Sequence, residues 1–546
     1  MSLKPQAAYV VPEETARVAQ AIYPKGNIYM NLYDTFGTLF EDKDFIDIFS
    51  HEGQPALSPV RLALVCILQF VEGLTDRQAA ESVRTRIDWK YLLCLELTDA
   101  GFDHTVLSEF RSRLVDGSVD KMVLDKLLNH FRKHGLLKER GQQRTDSTHV
   151  LGAIRAIKRI ECVGEAMRHA LNTLAVVAPS WVLENTQSDW VDRYGSKIEE
   201  YHLPQSGSAR EAYIYQVGAD GLELLNAIYN SDEWLRKLPA VETMRRIWVQ
   251  NYTWTQDGQL RWRQPGELPA SSVYISSPYD PEVRYSRKRS TRWIGYKVHL
   301  TETHDEDAPN LITNVETTIA TTTDDSMTST IHESLQGKDL LPSVHTVDAG
   351  YVDAELLLDS KKDFGVDLVG PAPGGGRRQE RGFRLSDFII DWEQQEAICP
   401  AGRTSSNWTP AVDKGKNNVV KIRFSCKDCG NCRFQTQCTH SIPPRRTLTV
   451  RPEAQHKALQ DARAREKTEQ FTQQYAKRAG IEGTISQGVR RCGMRRTRYI
   501  GLTKTHLQHL LTAAAINIVR VMDWLNGDSP GKTRQSAFVR LYTAMA

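Results

Sequence analysis

Three acidic residues sit where a side chain can do chemistry: Asp146, Asp348 and Glu482. Asp348 follows the β-forming run Ser343-Val344-His345-Thr346-Val347 and precedes Ala349-Gly350-Tyr351. A strand, a tight turn and then a helix opened by Asp353 would put Asp348 at the carboxyl-end rim of an open sheet, where such sheets bind ligands. The same address also suits an Asp that merely caps a turn. Asp146 lies in Arg144-Thr145-Asp146-Ser147-Thr148-His149-Val150, whose β-branched residues predict a first strand with an inward carboxylate, or an exposed strand Asp. Glu482 falls on a long helical pattern that begins near Ala454 and runs through Tyr475 and Arg478. Between Gly483 and Met522 there is no acidic residue, whereas Arg490, Arg491, Arg495, Arg496, Arg498, Lys504 and Arg520 all fall there. Such a stretch is either a solvated basic face or a track for phosphates. Carboxylate oxygens are hard donors, suited to Mg²⁺ and not to soft metals.

A second constellation is made of thiols. Five of the nine cysteines lie between Cys399 and Cys438. A two-residue gap lets two sulfurs face one ion, so Cys399, Cys429, Cys432 and Cys438 form the preferred set for a structural Zn²⁺, with Cys426 spare. Reduced cysteines without metal are the plain alternative.

The elements that must position these residues can be read in order. At 546 residues the chain is too long for one simple core, and a net charge of +3 leaves no histone-like blanket of charge. No signal-peptide pattern or bilayer-length apolar run is found, so a cytoplasmic, nucleoid-associated protein with no membrane contact is expected. Residues 1–140 read as helical. Ser58-Pro59 opens one helix, Gly73 ends it and Thr75-Asp76-Arg77-Gln78 opens the next, a pair that reads as a helix-turn-helix or as an ordinary bundle. If DNA binds there, Arg77, Arg84 and Arg86 are the phosphate contacts. The catalytic region is read as 141–370, carrying a helical insertion at about 155–270 that holds six of the eleven tryptophans, either core or base-stacking. Further strands are expected at Trp293–Leu300, 311–319, 344–347 and 365–371, with Asp324 or Asp325 capping a short helix between the second and third. A linker from Pro371 to Arg384 opens the cysteine-rich segment, 371–450; the second part of the catalytic region is 451–525 and a tail follows at 526–546. Gly531-Lys532-Thr533 in that tail is not a phosphate loop, because Asn526 stands where the first Gly is required.

Asp146 on a first strand, Asp348 after a later one and Glu482 on a late helix together resemble the order found in the bacterial DDE insertion-sequence transposases. Tyr475, Arg478 and Glu482 match the family's Tyr-x-x-Arg-x-x-x-Glu spacing. Asp146-Ser147-Thr148 and Val347-Asp348-Ala349-Gly350-Tyr351 look like its two aspartate motifs, and Arg498 to Lys504 with Gln508 and Asn517 looks like the segment after its glutamate. The family's basic residue after the glutamate would fall on Val489, one place before Arg490. The Phe102–Arg113 stretch and the cysteine-bearing insertion are similar to those of one branch. The resemblance implies an α/β fold: a ribonuclease H-like mixed sheet flanked by helices, with an all-α N-terminal domain, a helical insertion and a small cysteine-rich insertion. It also implies two Mg²⁺ ions, or Mn²⁺, held by Asp146, Asp348 and Glu482. The expected substrates are double-stranded transposon ends and target DNA, cut and joined by a homodimer. Tyr475, Arg478, Arg490, Arg495, Arg496, Arg498 and Lys504 are the expected DNA contacts beside the triad. A ribonuclease H-like nuclease without strand transfer and a non-catalytic DNA-binding regulator are the rival readings.

Overall fold

The computed structural model describes residues 2–6, 8–373, 382–528 and 537–543. Most of the expected 371–384 linker and the Gly531-Lys532-Thr533 stretch lie outside them. The chain begins with α1 (Glu13–Ile22), α2 (Ile28–Phe36), α3 (Pro59–Glu72), α4 (Asp76–Thr85), α5 (Ile87–Leu92), α6 (Thr105–Asp116) and α7 (Met122–Lys133). Local chemistry sets the ends. The Ser58 hydroxyl accepts the Arg61 N–H with Pro59 in the first turn, and Gly73 closes α3 in the left-handed conformation. Thr75 and Gln78 then cap α4 reciprocally.

Strand β1 (Gln142–Leu151) leads into an inserted body: α8 (Arg159–Val177), α9 (Pro179–Asn185), α10 (Trp190–Tyr194), α11 (Gly207–Tyr229), α12 (Glu233–Arg236) and α13 (Pro239–Asn251). The insertion ends in a hairpin the periodicity does not announce, β2 (Tyr252–Trp254) with β3 (Leu260–Trp262). This body has a core of its own, in which Met167, Leu224, Met244, Ile247 and Trp248 are buried. Its tryptophans divide. Trp190 and Trp248 are core, Trp262 lies beneath the Arg159 guanidinium at 3.8 Å from the ring centre, and Trp234 and Trp254 are exposed.

The main sheet resumes with β4 (Arg284–Lys288), β5 (Thr291–Thr303) and β6 (Ile312–Ile319), then α14 (Thr328–Gln336), β7 (Val344–Val347), α15 (Ala354–Phe364) and β8 (Asp367–Val369). Its order is β4-β5-β1-β7-β8, with β6 also on β5. Strand β1 runs antiparallel to β5, with Asp146 opposite Leu300, and parallel to β7, with Thr145 opposite Val347. Strands β7 and β8 are parallel, while β6 and β4 both run against β5. The sheet is therefore mixed, and the carboxyl ends of β1 and β7 open on one side.

The cysteine-rich segment holds strands that the sequence reading does not assign: β9 (Ile389–Asp391), β10 (Glu396–Ile398), β11 (Asn407–Val412), β12 (Asn418–Arg423) and β13 (Thr447–Val450), with α16 (Cys426–Gly430) and α17 (Gln435–Cys438) between the last two. The expected single helix through Glu482 is broken into α18 (Glu453–Arg465), α19 (Glu469–Ala476), a 3₁₀ turn at Lys477–Ala479 and α20 (Gly480–Cys492). The first break comes at Thr468, whose extended backbone and side chain, accepting the Phe471 N–H, start a new helix. Helices α21 (Leu502–Leu525) and α22 (Ala537–Thr543) complete the described chain. Helix α21 packs across β6 and α3, and the Asn517 amide bonds both the N–H and the carbonyl of Ile312 at 2.8 Å. One apolar core runs from Phe70 and Phe110 in the N-terminal helices through Leu300 and Val347 in the sheet to Ile481 and Leu511.

Candidate carboxylate site at the sheet rim

Asp146 stands on the central strand, its side chain mostly buried. Its Oδ1 accepts the Ser147 N–H at 2.7 Å and its Oδ2 accepts Arg478 Nη1 at 3.0 Å. Arg478 Nη2 also reaches Glu482 Oε1 at 3.4 Å, so one guanidinium bridges two of the three expected acids. Burial raises the Asp146 carboxyl above its ordinary range and the nearby Asp348 charge adds to the rise, against the pull of Ser147 and Arg478. Burial works against the charge on Arg478, but Asp146, Tyr475 and Asp348 overcome it and the guanidinium is held above its usual value. Asp348 directly follows β7 and its Oδ1 accepts the Ala349 N–H at 2.8 Å, the turn-capping bond expected of it. It is half-buried, whereas Glu482 is about two-thirds exposed (65%). Tyr475 lies 5.6 Å from the Arg478 guanidinium and stacks on Phe471.

Two features moor the helix that carries Glu482. Arg144 and Glu302 face each other directly across β1 and β5. The wholly buried Glu302 carboxylate accepts Arg144 Nη2 at 2.7 Å, Arg520 Nη1 at 2.8 Å and the Thr484 hydroxyl. Arg144 also donates to the Lys477 carbonyl, and Arg520 donates to Thr484 Oγ1 at 2.6 Å. Gly480 has a steric reason for its place, because a Cβ there would collide with the Arg144 guanidinium.

A further acid enters from a position read as a helix cap. The Asp324 side chain caps nothing. Asp324 does stand at the N-cap position of the short 3₁₀ turn Asp325–Met327, but its side chain instead accepts Lys297 Nζ at 3.0 Å and the Ser147 hydroxyl at 3.1 Å, an ammonium and a hydroxyl outcompeting the backbone donors. Burial alone would raise the Asp324 carboxyl, but Lys297 reverses this and holds it low. Tyr351 is fully buried, shares a 2.6 Å hydrogen bond with His299 Nδ1 and feels the charges of Asp324, Asp146 and Asp348. Nothing local signals Lys297, Glu302 or Arg520, whose partners lie in distant segments.

The expected DNA contacts scatter. Arg77, Arg490, Arg496 and Lys504 are exposed. Arg84 pairs with Glu81 at 2.9 Å and Arg495 donates to Thr148 Oγ1 at 2.9 Å. Arg498 donates to the Leu74 carbonyl at 2.8 Å and lies over the Phe70 ring, while Arg491 donates to the Val71 carbonyl. Those two arginines fasten the α3–α4 junction to the segment after Glu482. Arg86 is held by Glu72 and Asp88.

Away from the rim, Cys399, Cys429, Cys432 and Cys438 line one cavity of about 30 Å³, large enough for a single ion. Burial pushes the Cys438 thiol up, and the other three sulfurs are near enough to add to that rise, against the Arg446 guanidinium. Cys426 stands outside, its Sγ accepting Arg445 Nε at 3.2 Å. Among the described residues no three or more His, Cys, Asp or Glu side chains are drawn to metal-binding distance, at the rim or here.

Fold and rim define an α/β protein whose mixed sheet brings acidic residues and a bridging arginine together beside its two central strands. Comparison with protein families takes the assignment further: a transposase DDE domain matches residues 398–522 and a transposase domain (DUF772) matches residues 18–113. The two matches support an insertion-sequence DDE transposase, and with it a transposase function that acts on DNA. No curated protein matches the chain.

Proposed function

We propose that the chain cuts the ends of an insertion sequence and joins them to target DNA with Asp146, Asp348 and Glu482 as its catalytic carboxylates. The observation that carries this reading is the single Arg478 guanidinium bridging Asp146 and Glu482, with Asp348 close enough for its charge to act on both Asp146 and Arg478. The sheet supports it too. Taking β1, β5, β6, β7 and β8 as strands one to five, the first three are antiparallel neighbours and the last two run parallel to the first, the ribonuclease H-like arrangement.

The donor set suits hard cations, being all carboxylate, and Mg²⁺ or Mn²⁺ would be held by Asp146, Asp348 and Glu482. When bound, such ions stabilise the charge that develops as a phosphodiester is hydrolysed or transesterified. The protein's own part is positional. Asp146, midway along β1, and Asp348, directly after β7, are fixed by their strands and by the Ser147 and Ala349 N–H groups, while Glu482, on the exposed face of α20, can swing toward them. Arg478 keeps the acids from repelling one another and offers a donor to a phosphate oxygen. Tyr475 packs beside it to hold the DNA end. Water and the freed 3′-hydroxyl serve in turn as nucleophiles, so no covalent protein intermediate is needed.

The four clustered thiols would hold a structural Zn²⁺. The segment's own core, built on Phe388, Ala397, Ile422, Phe424, Leu448 and Val450, is small enough to need such a staple. A homodimer that pairs the two ends completes the working complex.

The test uses Asp146→Ala, Asp348→Ala and Glu482→Ala with labelled end oligonucleotides. Each should abolish Mg²⁺-dependent cleavage and leave end binding nearly intact. Near wild-type cutting by any one removes that residue from the site, and strand transfer from a pre-cut 3′-hydroxyl end separates a transposase from a nuclease that only cuts.

A further inference from the structure

The sequence from Arg284 to Arg292 contains five basic residues and no acidic one, and the structure folds it into the β4–β5 hairpin. Arg284 is internal, donating to the Ser272 and Pro281 carbonyls. The others crowd an exposed tip. Arg287 and Arg292 are direct cross-strand partners, an arrangement that destabilises a hairpin unless an anion neutralises it. Lys288 reaches Asp324 only at 3.8 Å, and among the described residues no carboxylate pairs with Arg287, Arg289, Arg292 or Arg496. At the hairpin's base lies an open groove of about 710 Å³, lined by Leu151, Gly152, Ile154, Tyr285, Arg292 and Arg496. Arg496 is carried there because Leu151 bonds Arg495 and Thr497 on either side of it. The hairpin packs closely on the end of β1 at this point because Gly295 has no Cβ to collide with the Val150 carbonyl. Leu151 lies five residues beyond Asp146 on the same strand, roughly 17 Å along it. A strand leaving the acidic rim therefore runs straight into the groove.

Resting on the transposase reading above, we infer that this hairpin and groove bind an unpaired DNA strand beside the cut. Its phosphates lie on Arg287, Arg289, Arg292 and Arg496, and one base stacks on the half-exposed Tyr285 ring. The groove mixes guanidiniums, an aromatic ring and apolar walls, which suits a strand with its bases turned out. A paired duplex would present only phosphates and leave Tyr285 unused.

The experiment is fluorescence anisotropy of the full chain with a labelled duplex, blunt or carrying a short single-stranded tail, titrated with KCl. Arg292→Ala/Arg496→Ala should flatten the salt dependence for the tailed probe by about 1.4 in log–log slope, at about 0.7 per lost phosphate contact on a single strand. Tyr285→Ala should weaken the tailed probe about tenfold and leave the blunt one unchanged. A wild-type slope in the double variant, or equal weakening of both probes in Tyr285→Ala, overturns the groove. The wild type is assayed alongside for binding and Mg²⁺-dependent cleavage. If it does both while every variant matches it, only the groove falls; if it does neither, the transposase reading falls with it.

Discussion

Glu302→Ala removes the acid at the centre of the rim's internal support. The carboxylate is fully buried, and it holds Arg144, whose side chain is 8% exposed, and Arg520, at 18%. Deleting it leaves two largely buried guanidiniums without their carboxylate, a loss of about 3–5 kcal/mol for a broken buried ion pair. Water entering from the Arg520 side places the value toward the lower end of that range. The change is also mechanical, because Glu302 holds Thr484, two residues beyond Glu482 on α20. Loosening α20 by about 1 Å is expected to cost cleavage on the order of 10²-fold even where the protein is folded. Urea unfolding followed by tryptophan fluorescence measures the first effect, and end-cleavage rates well below the unfolding range measure the second. The triple variant Arg144→Met/Glu302→Leu/Arg520→Met leaves no charge unpaired and should recover most of the stability. Its cleavage should stay low, since the tie from Arg144 to the Lys477 carbonyl is gone. The reasoning fails if Glu302→Ala unfolds within about 1 kcal/mol of wild type, or if the triple variant is less stable than the single one.

Two other consequences are open to measurement. If the four thiols hold zinc, purified protein carries one equivalent by elemental analysis; Cys429→Ser and Cys432→Ser lose it and expose the segment to proteases, whereas Cys426→Ser keeps it, and wild-type protein free of zinc ends the proposal. Burial pushes His332 and His509 down to about 4 and His299 and His506 to about 3, so the folded chain resists protons that its unfolded form accepts near the ordinary histidine value of 6.5. Their folded pKa values are depressed, so stability should decline as pH falls from about 6.5 toward 3–4, by at most about 1.4 kcal/mol per pH unit for each histidine. Melting temperatures across that window that stay flat, with no shallower slope for His332→Gln, would contradict this account.

What the sequence reveals and conceals follows from how far apart the interacting residues lie. Caps and turns are local, and Ser58, Gly73, Thr75 and Asp353 each sit within a few positions of the groups they satisfy; all four occupy the element ends that their residue types predict. The strands of the mixed sheet are legible for the same reason, since alternation and β-branching are properties of a few adjacent residues. The β4 strand is not legible, because its three charges in five residues read as loop until a partner strand is known. Nor is the break at Thr468, where a favourable cap interrupts a pattern that is helical on both sides.

The rim shows the same division within a single side chain. Arg478 meets Glu482 across one helical turn, which spacing alone anticipates, but it meets Asp146 across 332 positions of sequence. Lys297 and Asp324 are 27 positions apart, Arg144 and Glu302 158, and Arg520 and Glu302 218. Each of these pairs exists only because the tertiary fold gathers β1, β5, the segment after β6 and helices α20 and α21 around one rim. A charged residue buried without its partner would be costly, so burial and partner must be specified together by the tertiary fold. The acids' addresses are therefore local facts, but what keeps them from repelling one another, and what aims them, is written in residues that carry no chemical signature in the linear chain.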